Sequence, residues 1–297
     1  MSDYEFYISH FTIFSGHQSP FEQADYVVVG VPFDVTSTHR TGARFAPLAI
    51  REASLNIETY SFRSNLDIED LKIHDLGDLH ISFNVEETLK RLEGAVKGLS
   101  KVKKIPILIG GEHTLTLGAM RGMGGKDTAV ISFDAHLDLR DKYIDLATSH
   151  TTFMRRINEQ VKPKKIVEVG TRAVCKEELE YAKKAGIQYF TTKQIRKNGL
   201  ETTIKAVKNA VKNCKRTYLT IDMDVLDPAF APAVQNPEPD GLSIQTLLDF
   251  ICNFCDSRLV GLDLVEVTPT YENGVTAIQA AKILFEALCQ IEKSRKS

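Results

Sequence analysis

In Val130-Ile131-Ser132-Phe133-Asp134-Ala135-His136-Leu137-Asp138 an apolar run of strand character ends in two carboxylates and an imidazole at alternate positions. An extended chain turns every second side chain to the same side, so Asp134, His136 and Asp138 converge. Carboxylates buried side by side are costly unless a positive charge lies among them, and a divalent metal supplies it. Two further segments have the same character. Gly110-Gly111-Glu112-His113 places an imidazole just beyond an apolar run, and Ile221-Asp222-Met223-Asp224 repeats the alternate carboxylates. A lone histidine or an Asp-rich turn would be unremarkable; Asp227, before Pro228, fits that plain role.

His113, His136, Asp134, Asp138, Asp222 and Asp224 make six donors, too many for one catalytic zinc with its usual three protein ligands. They suit two metals that share carboxylates. With no thiolate in the set, Mn²⁺ is favoured, and Zn²⁺ or Co²⁺ are able to substitute because Mn²⁺ lies low in the affinity order.

The elements that must hold these residues are legible around them. Segments at 26–31, 73–78, 105–109, 129–133, 166–170, 187–190, 217–221 and 259–265 have strand character. Runs apolar throughout read as strands buried on both faces of a parallel sheet. Helical patterns lie at 50–54, 85–99, 153–159, 177–185, 200–212, 247–255 and 275–291. The alternation predicts an α/β fold with a mostly parallel sheet of about eight strands. By itself it fits an open three-layer sandwich or a barrel, and in both the chemistry gathers at the carboxyl ends of strands. No repeat or linker interrupts the pattern, so residues 1–297 read as a single domain.

Gly-Gly-Glu-His, Asp-Ala-His-Leu-Asp and Ile-Asp-Met-Asp-Val-Leu-Asp-Pro, in this order, resemble the three metal motifs of the ureohydrolase (arginase/agmatinase) family. Gly42-Ala43-Arg44-Phe45-Ala46-Pro47-Leu48-Ala49-Ile50-Arg51 resembles its N-terminal signature, and the likeness covers nearly the whole chain. The resemblance implies a three-layer α/β/α sandwich, two Mn²⁺ per chain and a homo-oligomer, a trimer or hexamer. It implies that His113, Asp134, Asp138 and Asp222 hold one ion and Asp134, His136, Asp222 and Asp224 the other, with Asp134 and Asp222 bridging. Glu266 matches the residue that contacts the guanidinium, and His150 falls where the family has a proton-shuttling histidine. On that reading His150 titrates near neutrality and exchanges protons with solvent, while Asp138 passes a proton to the leaving nitrogen.

Three places depart from the family pattern: Glu112 stands for the usual Asp, Thr151 for a glycine, and Val234-Gln235-Asn236 for a Gly/Thr-rich stretch. Glu112 is expected to support ligands rather than bind metal. The wording Leu226-Asp227-Pro228-Ala229-Phe230-Ala231-Pro232 and Pro237-Glu238-Pro239 looks more like agmatinases than arginases. The resemblance therefore implies hydrolysis of agmatine to putrescine and urea. Arginine, guanidinobutyrate, guanidinopropionate and formiminoglutamate share the planar head and stay open as substrates. A metal-dependent deacetylase or amidohydrolase, which keeps fewer ligands, and a non-catalytic binding protein fit the full set less well.

The partner that the resemblance implies is a small guanidino substrate, and composition points to no other. With net charge −2 and no long block of one sign, the sequence has no nucleic-acid or anionic-membrane footprint. No apolar stretch approaches the ~20 residues of a membrane span. Asp3 and Glu5 stand where a signal peptide would be apolar, and five cysteines, an odd number, suit reduced thiols in a cytoplasm. Cys252 and Cys255 lack a second pair to complete a zinc site and read as core cysteines.

Overall fold

The computed structural model describes residues 8–9 and 12–296; Asp3 and Glu5 lie outside the described residues. Its strands are β1 (Ile8–Ser9), β2 (Tyr26–Val31), β3 (Tyr60–Ser61), β4 (Leu66–Asp67), β5 (Ile73–Leu79), β6 (Ile105–Gly110), β7 (Thr128–Phe133), β8 (Lys165–Thr171), β9 (Gln188–Thr191), β10 (Arg216–Asp222) and β11 (Leu259–Val265). The helices are α1 (Ala46–Ser54), α2 (Val85–Lys101), α3 (Leu115–Met123), α4 (Phe153–Arg156), α5 (Lys176–Ala185), α6 (Thr192–Asn198), α7 (Leu200–Val211), α8 (Ile244–Phe254) and α9 (Val275–Lys296).

Nine strands form one sheet in the order β1-β5-β2-β6-β11-β10-β7-β8-β9, and β3 pairs with β4 in a separate hairpin. The eight expected strands all run parallel; β1 adds an antiparallel edge through Ile8 opposite Leu79. The sheet has two edges and is an open sandwich, not a barrel. Alternate strand residues feed two cores. Tyr26, Val28, Ile107, Ile131 and Leu219 pack with α1, α6, α7, α8 and α9, while Val27, Val29, Leu108, Val130 and Tyr218 pack with α2, α3, α4 and α5. Burial on both faces is what makes these strands apolar throughout.

Two helices went unread in the sequence. α3 contains Gly118 and Gly122, poor helix formers. Their bareness lets α3 lie against α2: a Cβ would stand 2.9 Å from Leu89 O at Gly118 and 2.6 Å from Glu93 O at Gly122. α6 is announced by a capping box, in which Thr191 Oγ1 accepts the Gln194 N–H and the Gln194 side chain accepts the Thr191 N–H. The helix expected over 153–159 is shorter than read: after Arg156 the chain passes into a π turn at Ile157–Val161. Cys255 is buried in the core, as expected, whereas Cys252 is only half-buried; all five cysteines are free.

Candidate metal centre

Strands β6, β11, β10 and β7 are neighbours at the middle of the sheet and run in one direction. Their carboxyl ends deliver His113, Glu266, Asp222 with Asp224, and Asp134 with His136 and Asp138 to one place. Among the described residues, two groups of donor atoms lie within 4.8 Å of one another: His113 with Asp134 and Asp222, and Asp134 with His136 and Asp224. Asp134 is common to both. His113 Nδ1 stands 3.1 Å from Asp134 Oδ2, 3.1 Å from Asp222 Oδ2 and 3.8 Å from Asp138 Oδ2. His136 Nδ1 is 3.0 Å from Asp224 Oδ2 and 3.5 Å from Asp134 Oδ1. Asp222, expected in both sets, falls in the first group only.

Local hydrogen bonds leave one oxygen of three carboxylates turned inward. Asp134 Oδ1 accepts the His136 N–H (2.6 Å), Asp224 Oδ1 the Ala135 N–H (3.1 Å) and Asp222 Oδ1 the Asp224 N–H (2.8 Å). The Oδ2 atoms of Asp134 and Asp222 face His113 and that of Asp224 faces His136. The imidazole of His113 is fixed from behind. Its Nε2 bonds Thr220 Oγ1 (2.7 Å), and Thr220 donates in turn to Asp263, which also accepts from Tyr218 (2.7 Å) and Thr116 (2.9 Å). With Nε2–H committed to Thr220, Nδ1 is the nitrogen turned to the carboxylate cluster and free to bind a metal once its proton leaves, and Phe153 stacks on the ring at 4.1 Å. Thr220 and Asp263 sit inside apolar strands β10 and β11, where no separate signal marks them in the sequence.

Burial raises the Asp138 and Asp222 carboxyls well above the carboxylate range, and the Asp134 charge adds to both shifts. Burial likewise opposes charge on His113, but Asp134, Asp138 and Asp263 outweigh it and push the imidazole up to about 9. This crowd of carboxylates demands positive charge, and its oxygen-rich, thiolate-free donors fit hard divalent ions. A proton on His113 competes with a metal for Nδ1. Metal uptake by chelator-treated protein will therefore release protons, and the apparent affinity will rise as pH rises toward 9; calorimetry in buffers of different ionisation enthalpy measures both.

Glu266 Oε1 accepts the His113 N–H at 2.6 Å, while its buried Oε2 has no partner and lines the cavity over the cluster. Glu266 (φ 70°) and Asp138 (φ 51°) both adopt left-handed backbone conformations, a strain typical of functional positions. Gly111 permits the approach: a Cβ there would lie 1.9 Å from Phe33 O, and its carbonyl accepts the Glu266 N–H at 2.9 Å.

His150 is buried beside this cavity, with Thr38 Oγ1 3.0 Å from Nε2 and Gln235 Nε2 3.2 Å from Nδ1. Titration near neutrality is not what this surrounding produces. Burial first, and then His136 and His113, push His150 down to about 3, so the ring is neutral at pH 7. Glu112 touches no donor of the cluster. Its carboxylate accepts from Thr36 N (2.7 Å), Thr36 Oγ1 (2.5 Å) and Thr114 Oγ1 (2.7 Å), and Thr36 Oγ1 accepts the His150 N–H (3.1 Å). Two of the departures from the family pattern, Glu112 and Gln235, thus converge on His150. The third, Thr151, lines the cavity, its Oγ1 3.1 Å from Ser149 Oγ. The cavity measures about 480 Å³ and is also walled by Arg140, Tyr143, Arg172, Glu178, Asn236 and Glu238.

A model described as the arginase family matches residues 24–289. The agmatinase of Bacillus anthracis is 35% identical over 93% of this chain and 95% of its own. The N(1)-aminopropylagmatine ureohydrolase of Thermococcus kodakarensis is 35% identical over 92% of each chain. The crystal structure of agmatine ureohydrolase from Thermoplasma volcanium superposes with a TM-score of 0.90 and 35% identity over 97% of both chains. A shared Asp134 between two donor groups, on a sheet of this topology, coincides with identity along nearly the whole length: this chain belongs to the arginase family and is a ureohydrolase homologue.

Proposed function

We propose that the protein is a binuclear-manganese hydrolase, one domain over residues 1–297, that cleaves agmatine to putrescine and urea. The observation that carries the proposal is the free Oε2 of Glu266 facing a cavity floored by two donor groups that share Asp134. His113, Asp134, Asp138 and Asp222 would hold one ion and Asp134, His136, Asp222 and Asp224 the other. A bound pair of ions would supply Lewis acidity that favours ionisation of water near neutral pH.

Glu266 receives the guanidinium through charge-assisted hydrogen bonds and sets its plane, leaving the carbon open to attack. Asp138 takes a proton from the tetrahedral intermediate and passes it to the leaving nitrogen. His150, a neutral ring between Thr38 and Gln235, relays protons by accepting at one nitrogen and releasing at the other. His150→Ala will keep its metal but lower kcat about 10²-fold or more, with partial rescue by added imidazole. Full activity of that variant without imidazole removes His150 from the mechanism.

The 480 Å³ cavity and the Thermococcus kodakarensis relative's printed substrate favour a second reading, a longer agmatine tail such as N(1)-aminopropylagmatine. Both readings are tested at once by loading the protein with Mn²⁺ and assaying agmatine, its aminopropyl derivative, arginine, guanidinobutyrate, guanidinopropionate and formiminoglutamate for urea and formamide. Urea from agmatine alone supports the first; formamide, or no product, overturns both. Five free cysteines support a reducing compartment, the cytoplasm, and a homo-oligomer, trimer or hexamer, completes the proposal. Among the described residues no helix is long and apolar enough to cross a membrane.

A further inference from the structure

The cavity wall carries two carboxylates outside the metal and head-group positions, Glu178 and Glu238. Glu178 is already engaged: Oε1 accepts the Leu139 N–H at 3.1 Å and Oε2 the Cys175 N–H at 2.9 Å. Glu238 is not. Its side chain is 40% exposed, and the charged group nearest its carboxylate is His136 Nε2, at 4.0 Å. His136 turns Nδ1 toward Asp224 (3.0 Å), so Glu238 faces the opposite edge of the same ring. It stands one imidazole and 4.0 Å from the centre, within reach of a tail of four methylenes.

The segment that presents Glu238 is rigid. Pro237 and Pro239 flank it and fix the backbone on both sides. Arg172, at the end of β8, donates from Nη2 to Glu238 O (2.8 Å) and from Nε to Pro239 O (2.9 Å). The same guanidinium holds Asp224 O (2.7 Å), so the carboxylate and the metal-ligand turn are tied to one group. Arg172 spends its N–H groups on carbonyls and makes no ion pair with the Glu238 carboxylate. Arg140, the other arginine of the wall, stacks on Tyr143 with 5.0 Å to the ring centroid.

We infer that Glu238 reads the substrate's tail, its carboxylate receiving the distal ammonium of a guanidinoalkylamine and rejecting guanidino acids by like charge. The inference rests on the guanidino-hydrolase reading above and goes further by naming the residue that selects the tail. A carboxylate fixed before binding loses little freedom on contact, which makes such a pair effective even when half-exposed.

The test compares Mn²⁺-loaded wild type with Glu238→Gln and Glu238→Lys on three substrates. These are agmatine, butylguanidine, in which a methyl replaces the ammonium, and 4-guanidinobutyrate. In Glu238→Gln the ratio of kcat/KM for agmatine to that for butylguanidine falls about tenfold, chiefly through KM, while metal content by elemental analysis stays at the wild-type level. In Glu238→Lys the preference moves toward 4-guanidinobutyrate. An unchanged ratio, or equal loss on all three substrates together with lost metal, overturns the inference; the latter would make Glu238 a support for His136. Should wild type release no urea from any substrate, the hydrolase reading falls by itself, and calorimetric binding of agmatine then decides Glu238. About tenfold weaker binding by Glu238→Gln upholds the inference, and equal binding overturns it.

Discussion

Asp134→Ala will fold, fail to retain metal and lose hydrolysis by about 10³-fold or more. Asp134 is the one carboxylate common to both donor groups, so its removal takes an oxygen from each site at once. Metal-borne charge stabilisation is worth several kcal/mol, and 1.36 kcal/mol is a factor of ten in rate. The fold does not depend on this side chain in the same way. Asp134 raises the carboxyls of Asp138 and Asp222 by like charge, so its loss relieves that repulsion while surrendering the bond from the His136 N–H and the contacts with His113 and His136 Nδ1. Elemental analysis after gel filtration, a urea assay and thermal melts of chelator-treated protein separate the outcomes. A variant that keeps two metals per chain and wild-type turnover would remove Asp134 from the bridging position.

Arg51→Met will cost about 3–5 kcal/mol of folding stability, because it leaves two buried carboxylates without a partner. Arg51 on α1 has no exposed surface. Its Nε and Nη2 bond both oxygens of Asp75 (2.7 and 2.9 Å), Nη1 bonds Asp78 (2.5 Å) and Nη2 also reaches Gly77 O (3.1 Å). Asp75 accepts from Phe14 N as well (2.7 Å), so the cluster ties the chain before β2 to α1 and β5. Burial already raises the Asp78 carboxyl even with Arg51 beside it. Without the guanidinium the folded-state Asp78 carboxyl rises further above its unfolded value. The folded protein then takes up protons more readily than the unfolded chain, and the deficit shrinks as pH falls. Urea unfolding at pH 7 and pH 5 measures both effects. Asp75→Asn with Asp78→Asn in the Arg51→Met background restores most of the loss, whereas a penalty below about 1 kcal/mol at pH 7 would show that the pair contributes little.

Much of the fold was legible because parallel strands buried on both faces are apolar, as β2 and β6 are, and the alternation with helices placed the rest, including β5 with its His74 and Asp75 and the half-buried β9. The elements that escaped follow other rules. α3 carries glycines demanded by its contact with α2, and β1 and the β3–β4 hairpin are two-residue strands, too short for periodicity to mark. At the site, the spacing of Asp134, His136 and Asp138 already called for a cation, but the structure gathers the three in the loop after β7, which ends at Phe133, with Asp138 in a left-handed conformation (φ 51°) rather than along an extended strand.

The sequence by itself determined the ligand types, the strand ends that carry them and the family they resemble, because these depend on residue chemistry and local geometry. The tertiary structure decided what lies across from each group. It set Thr220 and Asp263 behind His113, Thr38 and Gln235 around His150, Glu112 under Thr36, and Arg172 beneath the Pro237–Pro239 segment. Those pairings join residues dozens of positions apart, and burial, not sequence spacing, sets their charge: it holds His150 neutral where an exposed imidazole would titrate near pH 6.5.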